Sequence, residues 1–478
     1  MCLTGLIAAT AWLNTSVADE TAYPIKNVVV IFQENVSFDH YFGTYPNALN
    51  PPGEPPFNAK PDTPSVNGLN ETLLTKNPNS LQPQRIDRSH VNTADQDHDY
   101  TAEQQAFDRG LMDKFVQFTG TPEGTGPTRV MDYFDGNVVT ALWNYAQHFA
   151  MSDNSYGTNF GPSTVGALNL ISGNTHGVVN DVPGDAIDGT VIDDPQPTLD
   201  SAATRDNVQM DGPNIGDLLN AKDLTWGWFN GGFDNTSATH IGSDGKPKPD
   251  YIPHHEPFQY YAQTANKNHL PPTSVSAIGK TDQANHQYDI TRFFQALDAG
   301  LLPAVSFLKA PAYQDGRAGY SDPLLEQEFL VSTINRIMES PFWRDTAIII
   351  AWDDSDGWYD HVMPPLVNHS QTQFDALTGP GTTGTNPPLA GFQGRAGYGP
   401  RLPLLVISPF AKKNFVDHTI IRFIEDNWNL GRIGNGSFDD LAGSLLNMFD
   451  FSGREDDHPR HRRLILDPST GEPRNWSR

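Results

Sequence analysis

The sequence feature that most constrains the fold is the stretch IKNVVVIFQENVSFDHYFG, residues 25–43. Its run of β-branched and apolar residues, 28–32, predicts a strand buried on both faces, as in a largely parallel sheet. The strand ends at Glu34 and Asn35, and the functional crevice of an open α/β sheet lies beyond the carboxyl ends of its strands. A hard metal ion prefers the oxygen ligands that these two side chains supply. The alternative is that Asn35 or Ser37 only caps a following helix.

A second apolar run, TAIIIAW at 346–352, repeats this arrangement later in the chain. It predicts another fully buried strand, and it ends in the acidic sequence DDSDG that begins at Asp353 and Asp354. A solvated acidic turn is the alternative, but two buried strands that end in hard-ligand side chains favour a shared metal site. His361 follows, either behind the ligands or as an ordinary loop residue. Together these runs predict an α/β fold. Helices are predicted at 101–118, 135–149, 163–171, 286–300, 324–340 and 419–428, and further strands at 302–309 and 402–408.

Several other polar residues stand where they could contribute to a site. Ser163 follows Gly-Pro at the start of an apolar helical run, where unpaired amides and the helix dipole favour an anion. The hydroxyl of Ser163 becomes a nucleophile if a metal lowers its pKa; the alternative is an ordinary N-cap. His98 precedes a predicted helix. It could contribute to a site, or it could be an ordinary histidine in a solvated turn. His254 and His255 lie between aromatic residues, with a surface loop as the alternative.

Composition limits the class of protein. The 478 residues can form one large domain with insertions, or two domains. The formal net charge of −26 argues against a nucleic-acid partner, because phosphate backbones are bound by Lys and Arg. The single cysteine, Cys2, permits neither an intramolecular disulfide nor a CxxC metal site. The 38 Pro and 41 Gly indicate long loops, notably at 46–90 and in an insertion at 178–250 that is expected to frame the pocket.

The ends of the chain predict export rather than membrane insertion. Residues 3–18 form a mildly apolar run that ends in Ser-Val-Ala, like the small-x-small end of a secretory signal. No integral membrane segment is predicted, and the location expected is secreted or periplasmic. Residues 1–18 are therefore assigned as the remnant of a signal peptide, 19–452 as the functional domain and 453–478 as a charged, peripheral tail.

Taken together, these stretches resemble the bacterial phosphoesterase family of acid phosphatases and phosphatidylcholine-type phospholipases C. The resemblance covers about residues 24–430 in the family's order, and it implies an alkaline-phosphatase-like α/β/α core with a mainly parallel sheet. The matching motifs are NVVVIFQENVSFDHYFG, DHDYTAEQQAF, GPSTVGALNLISG, HHEPFQYY, NHQYDI, LPAVSFLKAPAYQDG, GYSDPLLEQEF and WDDSDGWYDHV.

The resemblance also implies roles for the candidate residues. Ser163 would attack phosphorus, form a phosphoseryl intermediate and complete the coordination of one hard metal ion. The histidines would line the phosphate pocket, bind its oxygens or protonate the leaving group. The implied metal ligands besides Ser163 are Glu34, Asn35, Asp353 and Asp354, and the implied pocket histidines are His98, His254 and His255. The metal is left open among Mg²⁺, Ca²⁺, Mn²⁺ and iron.

One position departs from the family pattern. Arg317 stands where the related acid phosphatases have a pocket histidine; an arginine binds phosphate well but cannot act as a general acid near neutral pH. The sequence GPSTVGALNL is closer to the acid-phosphatase branch, whereas the phospholipase branch has a threonine nucleophile. We therefore expect hydrolysis of small phosphate monoesters. The alternatives are a phospholipase C, a non-catalytic phosphate-binding or metal-binding protein on the same scaffold, and a sulfatase, although the sulfatase nucleophile motif is absent.

Overall fold

The computed structural model describes residues 21–121, 128–180, 183–417, 423–452 and 462–474. An eight-stranded sheet lies at its centre. In chain order the strands of this sheet are β1 (Asn27–Gln33), β2 (Ala150–Tyr156), β3 (Trp226–Asn230), β4 (Gln287–Asp289), β5 (Val305–Lys309), β6 (Thr346–Trp352), β7 (Arg401–Ile407) and β8 (Phe415–Asp417).

The spatial order of the strands is β4-β3-β5-β1-β6-β7-β2-β8. Strand β1 lies near the middle and pairs in parallel with β5 and β6, and its residues are buried along the whole strand. Only β7 runs antiparallel to its neighbours within this sheet. The predicted α/β fold with a mainly parallel sheet is therefore confirmed, because the apolar runs of β1 and β6 are buried on both faces.

Ten α-helices connect or cover these strands in the described part of the chain. The longest, over residues 323–339, begins with Pro at its first position behind Asp322, whose side chain accepts from the amides of Leu324 and Leu325. The helices are α1 (Phe38–Phe42), α2 (Glu71–Thr75), α3 (Tyr100–Phe107), α4 (Phe115–Phe118), α5 (Thr140–His148), α6 (Ser163–Ser172), α7 (Ile215–Ala221), α8 (Ile290–Asp298), α9 (Pro323–Glu339) and α10 (Phe423–Trp428).

Three predicted helices are shorter than their sequence pattern indicated, and the one expected over 135–149 is α5, which begins only at Thr140. The helix expected over 101–118 is divided into α3 and α4, because Asp108 and Arg109 adopt left-handed backbone angles, with φ of 41° and 60°. The helix expected from 286 begins only at α8. The preceding residues form strand β4, and the side chain of Asp289 caps the helix by accepting from the amide of Thr291.

The insertion predicted at 178–250 is only partly an insertion. Its aromatic sequence WGWFN is strand β3, a fully buried member of the central sheet. The remainder is loop-rich, with short two-stranded pairs such as Thr239–Ile241 with Pro247–Pro249. Strand β2 lies between β7 and β8 in the sheet but was not predicted from the sequence. Its sequence, AMSDNSY, contains too many polar residues to match the pattern of a buried strand.

The structure does not describe the N-terminal residues, but it describes part of the C-terminal tail. Residues 1–20 lie outside the described residues, so the signal-peptide assignment stays a prediction. Part of the tail expected to be peripheral is instead core, because Leu464, Ile465 and Leu466 are buried against the main apolar cluster. Residues 419–422 of the last predicted helix are also outside the described part. None of the helices described is both long and apolar enough to cross a bilayer.

Candidate active site

The carboxyl ends of β1 and β6 lie side by side and carry the predicted oxygen ligands. Gln33 pairs with Trp352, so that Glu34 and Asp353 follow neighbouring positions of two parallel strands. The amide of Asn35 donates to Oδ1 of Asp353 at 2.9 Å, which ties the two strand ends together. The sheet thus brings residues more than 300 positions apart in the chain to one edge.

Ser163 completes this group from the start of helix α6. Its buried Oγ lies 3.1 Å from Oε2 of Glu34, 3.3 Å from Oδ1 of Asn35 and 3.0 Å from Oδ2 of Asp354. The hydroxyl does not cap the helix, since the N-cap is Pro162 and makes no side-chain cap bond. The alternative role as an ordinary N-cap is therefore wrong.

Glycine lets helix α6 approach the acidic loop. A Cβ atom added to Gly166 would lie 2.2 Å from the carbonyl oxygen of Asp353. The GALNL sequence after Ser163 therefore allows a contact between helix and loop that any larger residue would block. This contact sets the distance between the start of helix α6, where Ser163 lies, and the carboxyl ends of the strands.

The carboxyl groups at this edge are buried together, which disfavours their charged forms when no cation lies among them. Burial, followed by the charge of Asp354, raises the pKa of Asp353 to about 6. Burial also raises the pKa of Asp354 to about 6 and that of Glu34 well above its ordinary value. Charged carboxylates buried together favour a cation among them.

The arrangement fits a hard metal ion. Oδ2 of Asp353 is buried and has no hydrogen-bond partner among the described residues. The single hydroxyl hydrogen of Ser163 can serve one of the three acceptors around it, which leaves the others available to a cation. Carboxylate, amide and hydroxyl oxygens form the kind of ligand set that Mg²⁺, Ca²⁺ or Mn²⁺ prefers.

Lys309 is a residue of the site that the sequence analysis missed. It ends strand β5, it is 1% exposed, and its Nζ forms an ion pair with Oε1 of Glu34. The other oxygen of Glu34 faces Ser163. Lys309 therefore fixes which oxygen of Glu34 is turned towards the nucleophile.

His98 lies on the other side of Asn35. Its Nε2 is 3.4 Å from the amide nitrogen of Asn35, and its Nδ1 is 3.6 Å from Oδ1 of Asp356. Burial opposes protonation of His98, but Asp354 and Asp356 outweigh it and raise its pKa well above the ordinary value. Among the three candidate histidines, His98 has the surroundings that favour the protonated form.

His254 and His255 lie in surroundings that favour the neutral form. Burial lowers the pKa of His254 to about 3, and Arg205 donates to its Nδ1 at 3.2 Å. Burial, the neighbouring His254 and Lys309 lower the pKa of His255 well below its ordinary value, although its Nδ1 lies 3.4 Å from Glu34. Both residues are near the site, as hydrogen-bonding groups rather than acids.

The first amides of helix α6 are not all free for a ligand. The amide of Thr164 donates to Oδ1 of Asp194 at 2.8 Å, so a carboxylate of the chain already occupies part of the helix N-terminus. Asp194 also lies 4.0 Å from Nε2 of His254. The helix dipole therefore contributes less to anion binding than the sequence suggested.

Arg317 reaches the same pocket. Its Nη2 forms an ion pair with Asp95 at 3.2 Å, and its buried Nε has no partner among the described residues. Asp95 in turn lies close to His98 and Asp356. Arg317 thus presents a fixed positive charge and one free donor next to the candidate acid.

An ion-pair network joins the two loops that carry the acidic ligands. Arg401 of β7, fully buried, donates to Oδ1 of Asp39 at 2.9 Å and to Oδ2 of Asp360 at 3.0 Å. Asp39 follows the end of β1, and Asp360 follows the end of β6. His361 donates to Oδ2 of Asp39 from Nδ1 at 2.6 Å. The network therefore holds both ligand loops in one position.

His361 is expected to make the stability of the fold depend on pH. Both ring nitrogens face oxygen acceptors, since Nε2 lies 3.1 Å from Oδ1 of Asn67, so the imidazolium form is favoured. Burial opposes protonation, but Asp39 outweighs it and raises the pKa of His361. The stabilisation is complete below the unfolded pKa of about 6.5 and is lost as pH rises through the folded pKa.

Replacing His361 by asparagine should lower the free energy of unfolding by about 1–2 kcal/mol at pH 6, and by less at pH 9. Urea unfolding at both pH values measures the difference. His240→Asn is the matched control, because His240 pairs with Asp250 but its side chain is 53% exposed. An equal loss at pH 6 and pH 9 in His361→Asn would contradict the charged state assigned here.

Sequence signals were weaker for the other residues that shape the site. Lys309 was detectable as a charge at the end of a buried strand, and Asp356 belongs to the acidic DDSDG sequence. Glu103 had no signal, since it lies in a helix pattern. Its buried carboxyl accepts from the amide of Gly161 and from Oγ of Ser355, which connects the loops around Ser163.

The sequence that forms this fold and site matches the model of a known protein family. The sequence profile of the Phosphoesterase family covers residues 25–431, so the chain belongs to this family. The family named by resemblance in the sequence analysis is thereby confirmed. Membership supports a hydrolase that acts on phosphoric esters.

Curated relatives carry phospholipase C names. The chain is 24% identical to the non-hemolytic phospholipase C of Pseudomonas aeruginosa, over 89% of this chain and 58% of the relative. It is 28% identical to the non-hemolytic phospholipase C of Burkholderia pseudomallei, over 86% and 56%. It is 25% identical to the non-specific phospholipase C6 of Arabidopsis thaliana, over 82% and 63%. The chain therefore spans less than two thirds of the length of these relatives.

Proposed function

We propose that this protein is a metal-dependent hydrolase of phosphate monoesters that works through a phosphoserine at Ser163. The observation that carries the proposal is the buried Oγ of Ser163, which lies within 3.3 Å of oxygens of Glu34, Asn35 and Asp354. A serine in that position is held away from helix capping and next to carboxylates that can take its proton.

The residues divide the chemistry among them. One hard divalent cation, held by Glu34, Asn35, Asp353 and Asp354, would lower the pKa of the Ser163 hydroxyl and offset the charge on the phosphoryl oxygens. Ser163 forms the new oxygen–phosphorus bond while the bond to the leaving oxygen breaks. His98 donates a proton to that oxygen, and His254 and His255 hydrogen-bond the phosphoryl group as neutral rings. A water molecule then cleaves the phosphoserine.

A second candidate function is phosphodiester hydrolysis of the phospholipase C type. It is favoured by the names of the curated relatives, which are phospholipases C. A third, of another class, is phosphate binding without turnover, with Arg317 as the change that removed catalysis. The third candidate is disfavoured because the proposed nucleophile, Ser163, and its acidic neighbours are all present.

Two chromogenic substrates separate these functions. Hydrolysis of para-nitrophenyl phosphate and of para-nitrophenyl phosphorylcholine is measured from about pH 4 to about pH 8 with added divalent metal. Preference for the monoester supports the proposal, and preference for the diester favours phospholipase C. Phosphate binding without hydrolysis of either substrate would favour the non-catalytic candidate.

Arg317 should contribute to recognition of the monoester dianion. Replacing it by alanine removes charge-assisted hydrogen bonds and is expected to raise KM for para-nitrophenyl phosphate about 10–100-fold, with less effect on the singly charged diester. Steady-state kinetics on both substrates measures this. Arg292→Ala is the control, because Arg292 is a surface residue paired with Asp234. An unchanged KM in Arg317→Ala would remove Arg317 from the substrate site.

The proposed partners and location follow the sequence analysis. A small phosphorylated substrate is the expected partner, with a phospholipid as the alternative. We propose a secreted or periplasmic location on the basis of the signal-like residues 3–18. Mass spectrometry of the protein exported from an expressing bacterium tests this, since an intact leader on protein found only in the cytoplasm would contradict it.

A further inference from the structure

A cavity of about 370 Å³ lies below helix α6, on one face of the central sheet. Its floor includes Phe32 of β1 and Ile349 of β6. Its cover includes Leu170 of α6, Ile424 of α10 and Phe438 from the loop that follows. None of the proposed chemistry at Ser163 uses this space.

The cavity is accessible from solvent, because residues of β6 that form its floor keep some exposed surface. On β6, Ile348 and Ile350 point to the opposite face of the sheet and are 0% exposed. Ile349 is 6% exposed and Ala351 is only partly buried, although both lie in the middle of an eight-stranded sheet. The face towards α6 is therefore incompletely packed, whereas the other face is closed.

The size of this space points to a ligand. Protein interiors contain few voids larger than a water molecule, and an apolar cavity of about 150 Å³ is enough to hold benzene. This cavity has more than twice that volume, and its walls are mainly aliphatic and aromatic side chains. An extended apolar chain fits these walls better than a polar molecule, whose hydrogen bonds they would leave unsatisfied.

Two acidic side chains in the wall restrict the head group. Glu425 and Asp439 are 5% and 8% exposed, and their carboxyl groups lie within hydrogen-bond reach of each other. Oε1 of Glu425 and Oδ1 of Asp439 accept no hydrogen bond from another described residue. A hydroxyl head group can donate to such oxygens. An anionic head group would be repelled by them and by the net charge of −26, which the ion pair of Arg432 with Oε2 of Glu425 at 3.0 Å offsets only in part.

The rim of the cavity suits an amphiphile. The rings of Tyr156 and Tyr398 stack with centroids 6.3 Å apart, and Leu441 beside them is 43% exposed. Aromatic residues with a polar tip are common where an apolar chain meets water. Asp353 forms part of the inner wall, so the cavity and the candidate metal site share one residue.

We propose that this cavity binds the aliphatic chain of a neutral single-chain lipid, such as a fatty alcohol or a monoacylglycerol. The proposal does not rest on the function assigned to Ser163, since the lipid is a bound ligand rather than a substrate.

The test uses the full chain and dodecanol as the probe. Isothermal titration calorimetry should give saturable one-to-one binding, and dodecanol should raise the temperature of thermal unfolding. Dodecanoate, which has the same chain and an anionic head, should bind at least about tenfold more weakly. Absence of saturable dodecanol binding overturns the proposal, and equal binding of dodecanoate overturns the assignment of a neutral head group.

Two variants fill the cavity from different sides. Ala351→Leu adds bulk at its floor and Ala442→Trp adds bulk at its rim. Each should weaken dodecanol binding at least about tenfold. Ala442→Trp keeps the test valid if the core variant fails to fold, because residue 442 is in a loop. Ala299→Trp, at an exposed position outside the cavity, should bind as the unaltered protein does. Unchanged affinity in Ala442→Trp would place the lipid elsewhere and overturn the proposal.

Discussion

Replacing Ser163 by alanine should lower kcat for para-nitrophenyl phosphate at least about 10⁴-fold while the protein stays folded. The variant removes the atom proposed to bond to phosphorus, and it removes no helix cap, because Pro162 occupies that position. Incubation with substrate and rapid acid quench should detect phosphoserine in the unaltered protein and none in the variant.

The matched control is Ser172→Ala, at the other end of the same helix. Oγ of Ser172 donates to the carbonyl of Leu168 and accepts from the hydroxyl of Tyr261. Its loss should reduce the free energy of unfolding by about 1 kcal/mol and leave kcat nearly unchanged. If Ser163→Ala kept a turnover similar to that of Ser172→Ala, Ser163 would not be the nucleophile.

Replacing Lys309 by methionine is expected to cost about 3–5 kcal/mol of unfolding free energy in the metal-free protein. Lys309 is 1% exposed and pairs with Glu34, which is 0% exposed. Removing the ammonium leaves the carboxyl of Glu34 buried beside Asp353 without its ion-pair partner. Urea unfolding in the presence of a chelator measures the loss.

A double-mutant cycle tests whether the loss comes from that pair. Adding Glu34→Gln to Lys309→Met removes the unpaired charge and should restore a large part of the stability, although hydrolysis should stay absent. Lys114→Met is the control, since Lys114 pairs with Asp108 at 2.8 Å but its side chain is 39% exposed, and it should cost less than about 1 kcal/mol. The single variant Glu34→Gln completes the cycle, and a loss in the double variant equal to the sum of the two single losses would exclude coupling between Lys309 and Glu34.

Lys309 and the proposed metal ion can neutralise the same group of carboxylates because they lie on different sides of Glu34. Lys309 contacts Oε1 of Glu34, whereas Ser163 and the candidate metal ligands face the other side. One fixed cation therefore neutralises part of the buried charge before a metal arrives. The remaining carboxylate charge is left for the proposed metal ion.

The central strands and the acidic residues at their ends could be predicted without the structure. Long apolar runs such as 28–32 and 346–352 are stable only when both faces of the strand are covered by other elements. They therefore predict buried strands before the tertiary contacts are known. Polar residues directly after such strands must lie at the sheet edge, which is why Glu34 and Asp353 could be selected before the structure. The position of Ser163 at a helix start followed from Gly-Pro before an apolar run.

Tertiary structure decided what local patterns cannot encode. The protonation of His98 and of His254 depends on which carboxylates and which apolar walls surround each ring, and those groups come from distant segments. The short strand β4 and the polar strand β2 form because neighbouring strands supply their hydrogen bonds. The contact of Lys309 with Glu34 arises because two parallel strands far apart in sequence end side by side, a proximity that only the folded sheet creates.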